Sequence, residues 1–148
     1  MGALNAGITP PNQGDGGVVW NILGQTYFLK QSCDTSFSFE VHGEPGTFVP
    51  PHIHPTQDEF IFCLEGEMEL TLDGQTHRLP QGGMARMPMG MPHGYKNVGT
   101  TKLVRSLFWV SPARRLHELF TKIHNVPDPE TVVRLSATCE VDFLPPPG

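Results

Sequence analysis

Three histidines and one glutamate in this sequence have the types and spacing that suit a metal ion. His52 and His54 are two positions apart, so both imidazoles point to one side if they lie on a strand. Glu59 follows a Pro-Thr turn, and His93 follows a bend rich in proline and glycine. Imidazole nitrogens with one carboxylate suit iron, manganese, nickel, cobalt, zinc or copper, whereas magnesium and calcium prefer oxygen ligands. Four protein ligands leave a six-coordinate ion with open positions, which indicates a catalytic site.

Such ligands need rigid elements, and the hydrophobic pattern predicts short β-strands around them. Residues 36–41 alternate strictly between apolar and polar side chains, which is typical of a strand with one buried face. Asp73-Gly74 is a strong signal for a two-residue hairpin, and Gly24-Gln25 is a plausible break between two strands. Further strands are predicted within residues 18–30, 60–64, 68–72, 75–79, 84–87 and 103–110. Many short strands joined by turns favour a sandwich or barrel.

The pattern changes to a helical period after residue 110. Ser111-Pro112 has the types of an N-cap and a first helical residue, and an apolar stripe follows at helical spacing, formed by Leu116, Leu119, Phe120 and Ile123. Asp128-Pro129 opens a second predicted helix that ends near residue 137, and residues 141–147 are expected to be extended. We expect a single domain over residues 1–148, with an extended arm at 1–17, a barrel at 18–110, and helices and a tail at 111–148.

Composition excludes several classes of protein. The net charge of -5 argues against nucleic-acid binding, which needs a basic surface to neutralise phosphates. No apolar stretch approaches the roughly 20 residues of a membrane helix, and the first residues lack the basic and apolar regions of a secretory signal. The three cysteines form no Cys-X-X-Cys pair, so we expect reduced thiols and a cytoplasmic location.

The candidate ligands lie within two motifs that resemble those of the cupin family. The first motif, G(X)5HXH(X)4E(X)6G, is matched by Gly46, His52, His54, Glu59 and Gly66. The second motif, G(X)5PXG(X)2H(X)3N, is matched by Gly82, Pro88, Gly90, His93 and Asn97. The resemblance implies an all-β fold, a double-stranded β-helix or jelly-roll barrel, with one or two C-terminal α-helices. It also implies that His52, His54, Glu59 and His93 bind one divalent transition metal ion and that the protein forms a homodimer.

The C-terminal pattern is similar to that of single-domain cupins resembling quercetin 2,3-dioxygenase, which implies a dioxygenase. The expected substrate is an aromatic or enolisable small molecule that binds beside dioxygen, with Glu59 as a metal ligand and catalytic base. The ion would then be iron, manganese, nickel or cobalt. Zinc and copper are further possible ions. One alternative is a non-redox isomerase, lyase or polyketide cyclase, for which zinc would serve. A non-catalytic small-molecule-binding protein is the third interpretation.

The predicted substrate pocket is apolar, and its candidate residues are Phe48, Ile61, Cys63, Met89, Met91, Tyr95 and Phe120. Several of these have an equally simple structural interpretation, because methionines fill cores and Cys63 can be a small buried hydrophobic residue. Gln57 is expected to be a solvated turn residue rather than a partner of a ligand. The remaining histidines are expected at the surface, namely His42, His77, His117 and His124.

Overall fold

The computed structural model describes residues 2–99 and 101–145, which form two antiparallel sheets and two helices. The strands are β1 (Val19–Ile22), β2 (Gln25–Ser32), β3 (Phe37–Gly43), β4 (Phe48–Ile53), β5 (Asp58–Glu65), β6 (Glu67–Leu72), β7 (Gln75–Pro80), β8 (Met84–Met87), β9 (His93–Lys96), β10 (Val104–Ser111) and β11 (Asp142–Phe143). One sheet has the order β1-β2-β3-β10-β5-β8, and the other has the order β11-β4-β9-β6-β7. The predicted all-β jelly-roll class is confirmed.

The core lies between the two sheets, and strands such as β2, β3, β5 and β10 contribute alternate residues to it. On β3 the inward side chains of Phe37, Phe39 and Val41 are buried, as the alternation in residues 36–41 predicts. On β5 the inward positions begin with Glu59, so a metal ligand and core residues share one face of the same strand. The strict two-residue period therefore places the polar site inside an otherwise apolar interior.

Two tight hairpins set the strand register. Asp73 and Gly74 join β6 to β7 with positive φ at both positions, which is the geometry of a type I′ turn, as predicted. The break between β1 and β2 lies one residue earlier than predicted, because Leu23 and Gly24 have positive φ and Gln25 already pairs with Ile22. The shift matters because it makes Gln25 a buried strand residue rather than a turn residue.

Two helices cover one opening of the barrel, α1 (Leu116–Ile123) and α2 (Pro129–Ala137). The predicted apolar stripe of α1 is buried, and Asp128 caps α2 by accepting hydrogen bonds from the backbone of Glu130 and Thr131. The predicted cap at Ser111 is wrong, because Ser111 pairs with Asp58 and ends β10, so that α1 begins four residues beyond Pro112.

The chain ends reach the barrel in different ways. After α2 the chain returns as β11, which pairs with β4. The last part of the predicted tail, residues 146–148, lies outside the described residues. The arm predicted at 1–17, described from Gly2, ends in a short 3-10 turn at Asp15–Gly17. It is fixed to β2, because Thr9 donates to the Lys30 carbonyl and the Lys30 ammonium donates to the carbonyls of Pro10 and Gln13.

Candidate metal centre

The four candidate ligands converge from both sheets onto one point of the interior. His52 lies on β4 directly opposite His93 on β9, and His54 follows the end of β4. Glu59 reaches the same point from β5 in the facing sheet. All four side chains are buried, and one ligand atom from each lies within 4.8 Å of the others. The fold thus gathers the donors that the sequence motifs predict.

A bulge in β4 aligns the two facing histidines. Val49 pairs with Tyr95 and His52 pairs with His93, so β4 has one residue more than β9 over this interval. Gly94 lies between the paired positions of β9, and a Cβ there would be 2.8 Å from the Val49 carbonyl oxygen. A residue without a side chain at position 94 therefore lets the two strands approach closely enough to bring the imidazoles together.

Backbone carbonyls fix the protonation of two of the imidazoles. Nδ1 of His52 is 2.9 Å from the Pro50 carbonyl oxygen, and Nδ1 of His93 is 3.2 Å from the Met91 carbonyl oxygen. Because a carbonyl oxygen only accepts hydrogen bonds, each Nδ1 carries the hydrogen and donates it. The lone pair of each neutral ring then lies on Nε2, the nitrogen that faces the cluster.

Gln57 fixes the third imidazole, contrary to the expectation that it is solvated. Its Oε1 atom accepts a 2.7 Å hydrogen bond from Nδ1 of His54, and its Nε2 atom donates to the carbonyls of Pro112 and Ala113 at 3.1 and 2.8 Å. The two carbonyls settle the orientation of the amide, so its oxygen must face His54. Gln57 is 2% exposed because the turn after His54 folds it under the segment that leads to α1. The only signal in the sequence was its position between two ligands.

Glu59 meets the Nε2 atoms of two rings. Its Oε1 is 3.0 Å from Nε2 of His93, and its Oε2 is 3.5 Å from Nε2 of His54. An unprotonated ring nitrogen and a carboxylate oxygen both present lone pairs, so a positive charge must lie between them. A proton on Nε2 or a metal ion would supply that charge. The arrangement fits a cation bound by three imidazoles and one carboxylate.

The electrostatic environment favours the ionised carboxylate. Burial raises the pKa of Glu59, but His54, His93 and His52 together outweigh it and lower the pKa to about 2. Burial, followed by the neighbouring His93 and His54, lowers the pKa of His52 to about 3. Burial also lowers the pKa of His93, but the hydrogen bond and charge of Glu59 outweigh this effect and raise it. Near neutral pH the cluster therefore presents one negative charge and at least one neutral imidazole.

The cluster opens into a cavity of about 670 Å³ between the barrel and the two helices. His52, His54 and Glu59 form part of its wall, and most of the remaining wall is apolar, with residues such as Ile22, Phe39, Phe108, Leu116, Leu119, Ile123, Val132 and Phe143. Three of the predicted pocket residues line this cavity, namely Phe48, Tyr95 and Phe120. Such a volume fits a small aromatic molecule.

The structure places the other four predicted pocket residues outside the lining of this cavity. Ile61 and Cys63 follow Glu59 on β5 and are fully buried where packed side chains fill the interior. This position agrees with the interpretation of Cys63 as a small buried hydrophobic residue. Met89 is 50% exposed on the bend before β9. Met91 packs against the edge of the core, and its backbone rather than its side chain serves the site.

The cavity residues that the sequence analysis did not single out include Gln25, Tyr27 and the apolar Val132 of α2. Gln25 and Tyr27 lie on the inward face of β2, and the alternation of buried Gln25, Tyr27 and Leu29 was the available signal. The misplaced hairpin break concealed it.

Two of the histidines expected at the surface are partly buried instead. His42 packs on Phe28 and pairs with Glu40, while His117 stacks on Phe37 and shares a hydrogen bond with Ser32. Their aromatic faces cover apolar surface, which explains the burial. His77 and His124 are exposed, as predicted.

Comparison with known proteins shows which domain and which fold this barrel resembles. Residues 39–110 match the family model Cupin_2, described as a cupin domain, and this span contains both ligand motifs. A crystal structure of an RmlC-like cupin from Shewanella frigidimarina has a TM-score of 0.65 with this chain at 18% identity, covering 75% of this chain and 95% of the other. Residues 39–110 are thus similar to a cupin domain, and the fold is that of a cupin barrel.

Particular relatives differ in the activities that their names record. The chain is 37% identical over 68 residues to polyketide synthase CurC of Streptomyces cyaneus, covering 46% of this chain and 44% of the relative. It is 43% identical over 54 residues to quercetin 2,3-dioxygenase of Bacillus subtilis, covering 36% of this chain and 16% of the relative. The chain thus matches less than half the length of each of these relatives. Among the described residues, no helix is long and apolar enough to cross a membrane.

Proposed function

We propose that this chain is a metal-dependent dioxygenase, similar to quercetinases, that acts on an aromatic or enolisable small molecule. The observation that carries the proposal is the junction of a His-His-Glu-His cluster with an apolar cavity of about 670 Å³. The similarity to quercetin 2,3-dioxygenase over the ligand-bearing segment supports the same reaction class. Iron, manganese, nickel or cobalt suits this donor set and this chemistry.

The side chains of the cluster have separable roles. His52, His54 and His93 would hold the ion through Nε2, because their Nδ1 atoms are committed to protein acceptors. When bound, the ion would supply a Lewis-acidic and redox-active centre for the substrate oxygen and dioxygen. The apolar wall of the cavity would exclude water and hold the flat face of an aromatic substrate.

Glu59 would serve as the base that takes the proton of a substrate hydroxyl. In the arrangement described here its pKa of about 2 makes it a weak base, because three imidazoles stabilise the carboxylate. Rotation of the carboxylate away from His54 and His93 removes those stabilising contacts and leaves burial, which raises the pKa. The same side chain therefore becomes more basic as it leaves the ligand cluster.

A second candidate is a non-redox cyclase or isomerase that uses the same centre as a Lewis acid. The similarity to a polyketide synthase protein, over a longer segment than the similarity to the dioxygenase, favours this alternative. A polyketide chain carries enolisable carbonyls, so the cavity and cluster suit both reactions. Zinc would support the cyclase and would not support the oxygenase.

Oxygen uptake by matched metal forms separates the two candidates. Protein stripped with chelator and reloaded with iron, manganese, nickel, cobalt or zinc is mixed with flavonols and diketones in an oxygen-electrode cell. We expect uptake with at least one redox-active ion, none with zinc, and loss of at least tenfold in the Glu59→Gln variant. Absence of uptake across all four redox-active forms would overturn the oxygenase and favour the cyclase. Purified protein holding less than a tenth of an equivalent of transition metal would contradict both.

We further propose that the protein acts as a cytoplasmic homodimer. The three cysteines are buried free thiols, which suits a reducing compartment. Light scattering coupled to size-exclusion chromatography tests the dimer, and a mass matching one 16.3 kDa chain would contradict it.

A further inference from the structure

A second polar cluster lines the cavity at a distance from the candidate ligands. The Tyr95 hydroxyl lies 3.0 Å from Oε1 of Gln25 and 3.3 Å from the Tyr27 hydroxyl. All three side chains face the same cavity as His52 and Glu59. We call Tyr27 and Tyr95 the tyrosine pair; they are the only tyrosines in the chain. The proposed catalytic steps use neither of them.

The hydrogens of the tyrosine pair have fixed directions. Tyr95 donates its single hydroxyl hydrogen to the amide oxygen of Gln25, so the contact between the two hydroxyls must use the hydrogen of Tyr27. Both hydrogens are then occupied within the protein, and the unused capacity consists of oxygen lone pairs. Tyrosine hydroxyls are neutral near pH 7. The pair therefore offers a neutral hydrogen-bond acceptor to a ligand.

Aromatic rings surround these hydroxyls. Tyr27 stacks on Phe39 with ring centroids 5.7 Å apart and meets the edge of Phe120 at 5.0 Å. The Tyr95 ring packs on Phe108 at 5.2 Å. The hydroxyls are thus polar atoms within an apolar wall. A ligand that reaches them would gain the most binding free energy from an aromatic ring system that carries one well-placed polar group.

The spacing along β9 relates the pair to the metal centre. His93 and Tyr95 are two positions apart on one strand, which separates their Cα atoms by about 7 Å. A fused aromatic ring system can extend over such an interval with one oxygen toward each cluster. Both clusters line one cavity wall, so a single ligand can contact both.

We propose that the tyrosine pair is a specificity site for a hydroxyl donor, and that the ligand is an aromatic molecule with hydroxyls at opposite ends. One oxygen faces the metal centre, and the opposite hydroxyl donates to the tyrosine pair. This inference rests on the proposed function for the position of the first oxygen. The inference goes beyond the proposed function by naming the residues that would recognise a second hydroxyl of the ligand.

Binding of three naphthol probes to zinc-loaded protein tests the proposal without turnover. The probes are 2,6-dihydroxynaphthalene, 6-methoxy-2-naphthol, which cannot donate at its second oxygen, and 2-naphthol. We expect the dihydroxy probe to bind about tenfold more tightly than either of the others, the value of one added hydrogen bond. The double variant Tyr27→Phe/Tyr95→Phe removes both acceptor oxygens and should reduce this ratio to about one, since the phenyl rings keep the aromatic contacts. Equal affinity of the three probes for the unmodified protein would overturn the proposal.

A matched control separates specificity from folding. Ser106→Ala also removes a buried hydroxyl, which donates to the Met68 sulfur and does not line the main cavity, so it should keep the tenfold ratio. If the double variant fails to fold, the single variants Tyr27→Phe and Tyr95→Phe should each lower the ratio, because each removes one of the two acceptor oxygens. A tenfold ratio that persists in the folded double variant, or in both folded single variants, contradicts the proposal. If the tenfold ratio is kept but removal of zinc leaves the affinity of every probe unchanged, the tyrosine pair is retained and the metal-dependent function is contradicted.

Discussion

Replacing Gln57 with methionine should weaken metal binding although Gln57 is not a ligand. The methionine side chain has a similar length and neither accepts from His54 nor donates to the backbone. The variant loses three hydrogen bonds of 2.7, 3.1 and 2.8 Å, all made by one amide. The His54 ring is then free to rotate or to move its hydrogen to Nε2, which would block that lone pair. Loss of such a partner weakens metal binding by about 10- to 100-fold, or about 1.4–2.7 kcal/mol.

The same substitution should lower stability. Nδ1 of His54 and the carbonyl of Ala113 are left buried without partners, and each such group costs about 1–3 kcal/mol, so we expect a loss of about 2–6 kcal/mol. Zinc affinity is measured by competition with a fluorescent indicator after chelator treatment, and stability by urea unfolding of the metal-free protein.

Gln31→Met is the matched control for this prediction. The Gln31 amide also donates to protein acceptors, the carbonyl and hydroxyl of Ser36 at 2.9 and 3.1 Å, but it contacts no candidate ligand. This variant should lose stability and keep zinc affinity within about twofold of the unmodified protein, because only groups that orient ligands alter affinity. Unchanged zinc affinity in a folded Gln57→Met protein would refute the orienting role of Gln57.

Three further predictions address the core, acid sensitivity and proton competition. Phe120→Ala should lower the free energy of unfolding in urea by about 3–5 kcal/mol, because the Phe120 ring contacts four aromatic rings at centroid distances of 4.8–5.6 Å. Phe48 is 59% exposed, so Phe48→Ala should lower the free energy of unfolding far less. Equal losses in the two variants would contradict this packing. Burial raises the pKa of Glu40, but hydrogen bonds from His42 and Arg105 outweigh it and lower the pKa below 4.5. This carboxylate therefore stabilises the fold above about pH 4.5, and its contribution is lost as the pH falls further. The Glu40→Gln variant should therefore have a lower free energy of unfolding than the unmodified protein at pH 7, and this difference should shrink below about pH 4.5. In the control variant Glu67→Gln, which changes an exposed residue, the free energy of unfolding should differ little from that of the unmodified protein at either pH. Metal affinity should fall below about pH 6.5 because protons compete for the imidazoles, and affinity unchanged from pH 8 to pH 5 would argue against histidine ligands.

The sequence was sufficient for the type of fold and the identity of the candidate ligands. Alternating apolar residues and Asp73-Gly74 predicted strands and a hairpin that the structure contains, because side-chain period and turn chemistry are local properties. The fixed spacing of His52, His54, Glu59 and His93 within two motifs predicted the cluster. Local errors occurred where pairing across the sheet overrode local propensity, as at Ser111, which continues β10 instead of capping a helix.

Only the tertiary structure decided what surrounds those ligands. Whether Gln57 orients His54, or whether Tyr27 faces a cavity, depends on contacts with carbonyls and rings far along the chain, such as Ala113 and Phe120. The same dependence explains why Ile61 and Cys63 share the inward face of β5 with Glu59 yet lie outside the cavity. Periodicity determines which face of a strand a residue occupies. The packing of the second sheet and the helices against the inward face determines where a cavity remains.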